Sequence, residues 1–437
     1  MIKDMLMFSI GNLLILAFFY LIIYITLFSF LKQWNYRLYT ILIICFLLHL
    51  ILLGIIQLVL NTHPEPWHSF FFDDGEYYSM HAHIISSILT NKPLSYITSL
   101  RAANYWVSDF SQRGMMPPVH GYQVGYITYF YGILYSIFGY YPLIINLWNI
   151  TLHLLSGILI FKISKILFDQ KTGYIATVLF LFNPTLFYYT TTKVAESSYI
   201  LLICLIIYLC LSINKRYYCV FKLLMLTMAL FLLNLLKYML FLPLLFSILV
   251  YLAILTVSHF KKIKTLFFAL FISLFLFHQK LLEFFNLIFC NLATVHKTYS
   301  TSGGQNYELF KFGHNFTKYT FVQKLAYMFF SWIHLIVEPT RYSSIRYGLY
   351  YPYQIIFIVL FILALFGMVI SIKTQNIKSV LLMVYLFFMG SLIAGASGNA
   401  GTMLRHRDII TFVVFIFAAF YIRIKIFDRR VNNIEKL

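Results

Sequence analysis

Asp73, Asp74 and Glu76 place three of the chain's 14 acidic residues within four consecutive positions. They stand in the stretch Phe71-Phe72-Asp73-Asp74-Gly75-Glu76-Tyr77-Tyr78, just beyond an apolar run. Like charges this close repel, so their carboxylates face water, bind a cation, or include one that holds its proton more tightly than usual. Two chemistries suit them. A carboxylate can take the proton of an attacking hydroxyl as a general base. Asp74 and Glu76 can also hold a divalent metal ion through oxygens. The same residues suit a plainer role as a helix start, with Asp74 as the cap and acidic side chains favouring the positive end of the helix. A helical pattern does follow: Tyr78, Ala82 and Ile85 fall on one face, flanked by His81 and His83.

The elements that must hold these residues follow from composition. The 437 residues are 61% hydrophobic and 11% charged, whereas soluble globular chains are roughly 25% charged. Water cannot be the solvent for so much apolar surface; lipid must be. The net charge of +19 lies in short loops between apolar runs. That is the positive-inside pattern of a membrane protein and not a nucleic-acid-binding face. Cys45, Cys204, Cys210, Cys219 and Cys290 form no CxxC pair and lie mostly in apolar runs, which argues against a disulfide framework or a zinc site. The first apolar run, 5–31, is too long for the core of a signal peptide and lacks a small-residue cleavage site. Neither a GxGxxG nor a phosphate-binding loop occurs, and Gly303-Gly304 reads as a turn.

Runs of about 20 apolar residues mark spans. Eleven are expected, at 5–31, 38–60, 143–161, 173–190, 198–213, 218–236, 239–257, 265–289, 353–372, 379–395 and 408–425. The connecting segments 32–37, 162–171, 214–222, 258–264, 373–378 and 423–437 hold 18 Lys and Arg in 53 residues, while the alternate segments hold 14 in 170. The denser set is expected to be cytoplasmic. This assignment requires that 119–138 and 323–338 do not cross, and both are expected as Tyr- or Trp-bearing interfacial helices. The expected fold is therefore all-α: a single polytopic bundle over 1–437, with two long non-cytoplasmic loops, 61–142 and 290–352. Within the run 265–289, Lys280 and Glu283 are spaced to pair with each other.

The order of these features resembles the GT-C superfamily of membrane glycosyltransferases, and within it the protein O-mannosyltransferases and lipid A aminoarabinose transferases. Asp74-x-x-x-Tyr78-x-x-x-Ala82 is similar to that family's first-loop motif. Pro117-Pro118 through Tyr131 to Phe138-Gly139 resembles its proline-led helix. Segment 143–168 and the stretch from Gly173 to Asn183-Pro184 resemble its next two spans. Glu196 sits where an acidic residue of the second outer loop is found, and Gly398-Asn399 through Arg405-His406-Arg407 resembles the last outer motif. The similarity covers roughly 38–215 and 395–420. The chain departs from the pattern in having two apolar runs, not one, before the acidic loop, and in lacking prolines after the paired arginines.

The resemblance implies a reaction: transfer of a sugar from a polyprenyl-phosphate donor to a hydroxyl of a glycan, lipid or protein acceptor on the outer face of a membrane. Size and composition make the plasma membrane of a bacterium the expected one. It implies Asp74 as the base, with Asp73 second. Glu76 and Glu196 then orient the acceptor or hold a metal ion. The departing lipid phosphate needs fixed cations. Arg405 and Arg407 suit it because guanidinium forks match phosphate oxygens, and Lys237, in a tight outer turn, is a further candidate. Arg341 and Arg346 are weaker ones. No nucleic acid is expected, and the one cofactor in view is a divalent metal ion. A polysaccharide polymerase or ligase, or a transporter of lipid-linked sugars, is the alternative. The absence of related halves weighs against transport.

Overall fold

The computed structural model describes residues 18, 20–22, 24–25, 35–62, 74–91, 126–139, 141–213, 219–259, 278–301, 319–338, 345–398 and 400–427. Asp73, Pro117, Pro118, Arg341, Asn399, most of 5–31 and the first part of 265–289 lie outside them. Among the described residues every regular element is a helix. In order these are α1 (Tyr36–Thr62), α2 (Asp74–Asn91), α3 (Tyr126–Phe138), α4 (Pro142–Leu167), α5 (Gln170–Leu181), α6 (Pro184–Tyr189), α7 (Glu196–Ser212), α8 (Cys219–His259), α9 (His278–Thr301), α10 (Phe321–Val337), α11 (Ile345–Lys373), α12 (Val380–Ala396) and α13 (Ala400–Ile422).

Among the described residues, five helical segments are long and apolar enough to cross a membrane: Tyr36–Ile56, Leu143–Leu167, Val220–Thr256, Tyr351–Lys373 and Ile377–Ala396. The third holds two of the expected runs. At 41 residues α8 would be about 60 Å long if continuous, twice the hydrocarbon thickness. It is not continuous: Lys237 leaves helical geometry at φ −158°, ψ 82°, at the position of the expected turn.

Elsewhere the helices depart from the apolar runs. The expected span 173–190 is two helices, because Pro184 brings no N–H to the ladder and Asn183 caps a new start, its Oδ1 accepting from the Thr185 N–H. The helix expected at 408–425 begins at Ala400, so Arg405 and Arg407 lie on a helix and not in a loop. α9 runs on to Thr301, into the segment expected as an outer loop. α3, at 13 residues, is about 20 Å long, and α10, at 17, about 25 Å, both shorter than the hydrocarbon core. A capping box at Thr320 and Gln323 starts α10.

The chain divides into two compact units, residues 1–159 with 181–202 and residues 160–180 with 203–437. In the first, α2 lies along α3, and Ser79 Oγ meets Tyr135 Oη at 2.7 Å. In the second, α11 and α13 lie side by side. Their backbones are so close that a Cβ on Gly367 would stand 2.2 Å from the Phe417 carbonyl oxygen. Near the end of this unit Asn376 donates to the Leu167 carbonyl at 2.6 Å and Arg423 pairs with Asp169 at 2.9 Å.

Candidate functional site

In the first unit, α2 opens at Asp74 and α7 opens at Glu196. What brings these two acidic helix starts together is the missing side chain of Gly75. A Cβ there would lie 1.8 Å from the carbonyl oxygen of Thr192, so only glycine lets the first turn of α2 reach the loop that leads into α7. The carboxylates of Asp73, Asp74 and Glu76 lie outside the described atoms; the backbone of Asp74 and Glu76 forms the first turn of α2.

Uncharged side chains hold that loop. Asn146 Nδ2 donates to the Thr191 carbonyl at 2.7 Å, and Asn149 Nδ2 donates to the Val194 carbonyl at 2.8 Å. The Tyr131 hydroxyl stands 3.2 Å from both Asn149 Oδ1 and the same carbonyl. Lys193, between them, adopts φ 59°, a left-handed conformation that costs a non-glycine residue energy and persists only where neighbours enforce it. Burial raises the Tyr131 hydroxyl above its usual range, and the charges of Glu196 and Tyr78 push the same way. Tyr78, Tyr131 and Glu196 thus share one neighbourhood. Glu196 itself is buried. His81, on the buried face of α2, is pushed below the ordinary imidazole range by burial, so it is neutral at pH 7.

In the second unit the cations gather. Arg407 is fully buried. Its Nη1 donates to Gln354 Oε1 at 2.6 Å and to the Glu338 carbonyl at 3.0 Å, and stands 3.5 Å from the Leu335 carbonyl. Its guanidinium lies 4.3 Å from the centre of the Phe357 ring. Gln354 turns its amide to the Ile336 carbonyl, and His334 meets the Glu338 carboxylate at 2.9 Å. Arg405, two residues earlier, is only half-buried. Burial holds His406 well below the usual imidazole range, and the charges of Lys237 and Arg405 add to the effect. Lys237, Arg405 and His406 therefore lie close enough to feel one another, with Lys237 and Arg405 carrying the charge.

Residues 126–282 match the dolichyl-phosphate-mannose-protein mannosyltransferase family. The match supports a membrane glycosyltransferase of the GT-C type. The mannosyltransferase-like segment runs from α3 into the first turn of α9. It contains Tyr131, Asn149, Glu196 and Lys237; Asp73, Asp74, Glu76, Arg405 and Arg407 lie beyond its ends. No curated protein and no solved structure matches the chain.

Of the residues singled out in the sequence, the structure draws the helix start of Asp74 toward Glu196, and Lys237 toward Arg405. Arg407 is turned inward, onto protein oxygens. Lys280 and Arg346 have side chains outside the described atoms, and Glu283 is exposed. Tyr131, Asn146 and Asn149 were not candidates. The two asparagines were visible only as polar residues inside an apolar run, the pattern that marks a buried hydrogen-bonding duty.

Proposed function

We propose that the protein transfers a sugar from a polyprenyl-phosphate-linked donor to an acceptor hydroxyl on the outer face of the membrane. The observation that carries the reading is the close approach at Gly75, which joins the acidic start of α2 to the loop before Glu196, in a chain whose segment 126–282 is mannosyltransferase-like. Asp74 takes the proton of the acceptor hydroxyl as its oxygen attacks the anomeric carbon, with Asp73 as the second choice. Glu196 and Glu76 orient the acceptor. The bond between the anomeric carbon and the phosphate oxygen breaks, and charge grows on the lipid phosphate. Arg405 and Lys237 meet that charge. Arg407 anchors the start of α13, since its Nη1 already serves Gln354 and the Glu338 carbonyl. In this reading eleven spans cross a bacterial plasma membrane, with the acidic loop on the non-cytoplasmic side.

The test is sugar transfer by the purified protein in lipid, with a panel of polyprenyl-phosphate sugars and a crude acceptor extract. Asp74→Asn is expected to lower turnover by about 10²–10⁴-fold with unchanged melting behaviour. Near-normal turnover in that variant removes Asp74 from the base role. If the folded wild-type protein uses no donor, the polymerase and transporter readings replace this one.

A further inference from the structure

Cys45 and His49 of α1 and His153 of α4 bring a thiol and two imidazoles together inside the first unit, with ligand atoms within 4.8 Å of one another. None has a part in the transfer chemistry. All three are buried to within 1% of completely. Cys45 and His49 are four residues apart and so share a face of α1; His153 meets them from a position more than 100 residues along the chain.

A fourth donor comes from the break between α5 and α6. The Thr185 N–H turns to Asn183 Oδ1 at 3.2 Å, so the Leu181 carbonyl loses its helical donor. That oxygen stands 3.5 Å from Cys45 Sγ and 3.2 Å from His153 Nε2. Cys45 Sγ in turn stands 3.5 Å from His49 Nδ1. These separations suit the edges of a tetrahedron. With metal–sulfur bonds of about 2.3 Å and metal–nitrogen or metal–oxygen bonds of about 2.0–2.2 Å, the sulfur edges come to about 3.6 Å and the nitrogen–oxygen edge to about 3.4 Å.

His49 is held at both ring nitrogens: Nδ1 lies 2.8 Å from the Cys45 carbonyl and Nε2 lies 2.9 Å from the Thr190 hydroxyl. That hydroxyl also lies 2.8 Å from the Phe187 carbonyl, so it can accept from Nε2–H, and in that tautomer Nδ1 presents its lone pair to a cation. A cation bound there replaces the contact with the Cys45 carbonyl. Orientation of a ligating imidazole by a hydrogen bond at its other nitrogen is the common arrangement at metal sites.

We propose that Cys45, His49, His153 and the Leu181 carbonyl form a site for a thiophilic d¹⁰ cation, Cu(I) or Zn(II), which ties α1 to α4 and to the break after α5. Thiolate and imidazole donors suit both ions. Binding releases the Cys45 proton to solvent. Cu(I) with one thiolate makes a neutral site, and Zn(II) one of net charge +1. Burial favours the neutral combination.

The experiment uses the full-length protein, purified in detergent under reducing conditions without a metal-affinity tag. Metal content is measured as purified, then after incubation with Zn(II) and, separately, Cu(I). Roughly one equivalent of one of these ions per chain is expected, lost in Cys45→Ser and in His153→Gln. Co(II) loading of the wild type, which needs no variant, should give a sulfur-to-cobalt charge-transfer band in the near ultraviolet. Wild type that stays metal-free after both incubations and shows no such band overturns the proposal. So does an equivalent retained in folded Cys45→Ser, since that ion is bound elsewhere.

Discussion

The two units organise polar groups in opposite ways. In the first, neutral side chains grip a charged region's backbone: Asn146, Asn149 and Tyr131 hold the carbonyls of Thr191 and Val194, and the loop they hold leads into Glu196. In the second, backbone and a neutral amide grip a charged side chain: the Glu338 carbonyl and Gln354 hold Arg407. The difference follows from the cost of burial. Amides and a phenol fix the backbone that leads to the buried Glu196 without adding a charge of their own to its surroundings. A cluster of positive charge can sacrifice one member to the interior, provided that member is met by oxygens, and leave its neighbours for a ligand.

The comparison is sharpened first by Arg407→Met. It should destabilise the protein by about 3 kcal/mol, because several oxygens lose a charged donor at once, and this is read from melting in detergent. Unchanged melting with a weaker grip on the donor would return Arg407 to the phosphate site. Gly75→Ala comes next. The added methyl must displace Thr192, and a shift of that kind costs on the order of 10²-fold in kcat, measured in the transfer assay. Activity near wild type would show that the first turn of α2 and the loop before α7 need not meet. Asn149→Ala should cost about 2 kcal/mol of stability, since it leaves the buried Val194 carbonyl short of a donor. Arg405→Ala should raise KM for the donor about 10-fold, equivalent to roughly 1.4 kcal/mol, with melting unchanged. A fall in melting temperature instead would make Arg405 structural, like Arg407. The smallest effect is that of pH. His81 and His406 are held neutral in the folded protein, so below about pH 6.5 the unfolded chain takes up protons that the folded one does not. Stability therefore falls as the pH drops from 7 toward 5, and His81→Phe should recover about 2 °C of that fall.

Much of the helical framework was legible from apolar runs alone. The runs at 38–60, 143–161, 353–372 and 379–395 reappear as α1, α4, α11 and α12, because lipid leaves the backbone no choice but to bond to itself. The tight turn at Lys237 was legible too, since no single helix of that length fits a bilayer. The break at Asn183-Pro184 was carried by two residues inside an apolar run and was read as a span's end. The start of α13 was misplaced because its first turns carry Arg405, His406, Arg407 and Asp408, which hydropathy scores as loop. On a helix, residues two apart point to different sides, and of this pair Arg407 is the one turned onto protein oxygens. The roles of Tyr131 and Asn149 depend on a carbonyl 45 residues beyond the asparagine. Nothing in local spacing announces such a partner, and the same holds for His153 beside Cys45.

The contact between α11 and α13 has a mechanical meaning. At one point the two rods are seated bone to bone, Gly367 against the Phe417 carbonyl. At another, Gln354 of α11 grasps Arg407 of α13. Both points run in the same sense along the two rods, which are thus parallel, and two dowels so spaced forbid sliding and twisting alike. Any stroke that opens or closes this unit must carry α11 and α13 as a single strut.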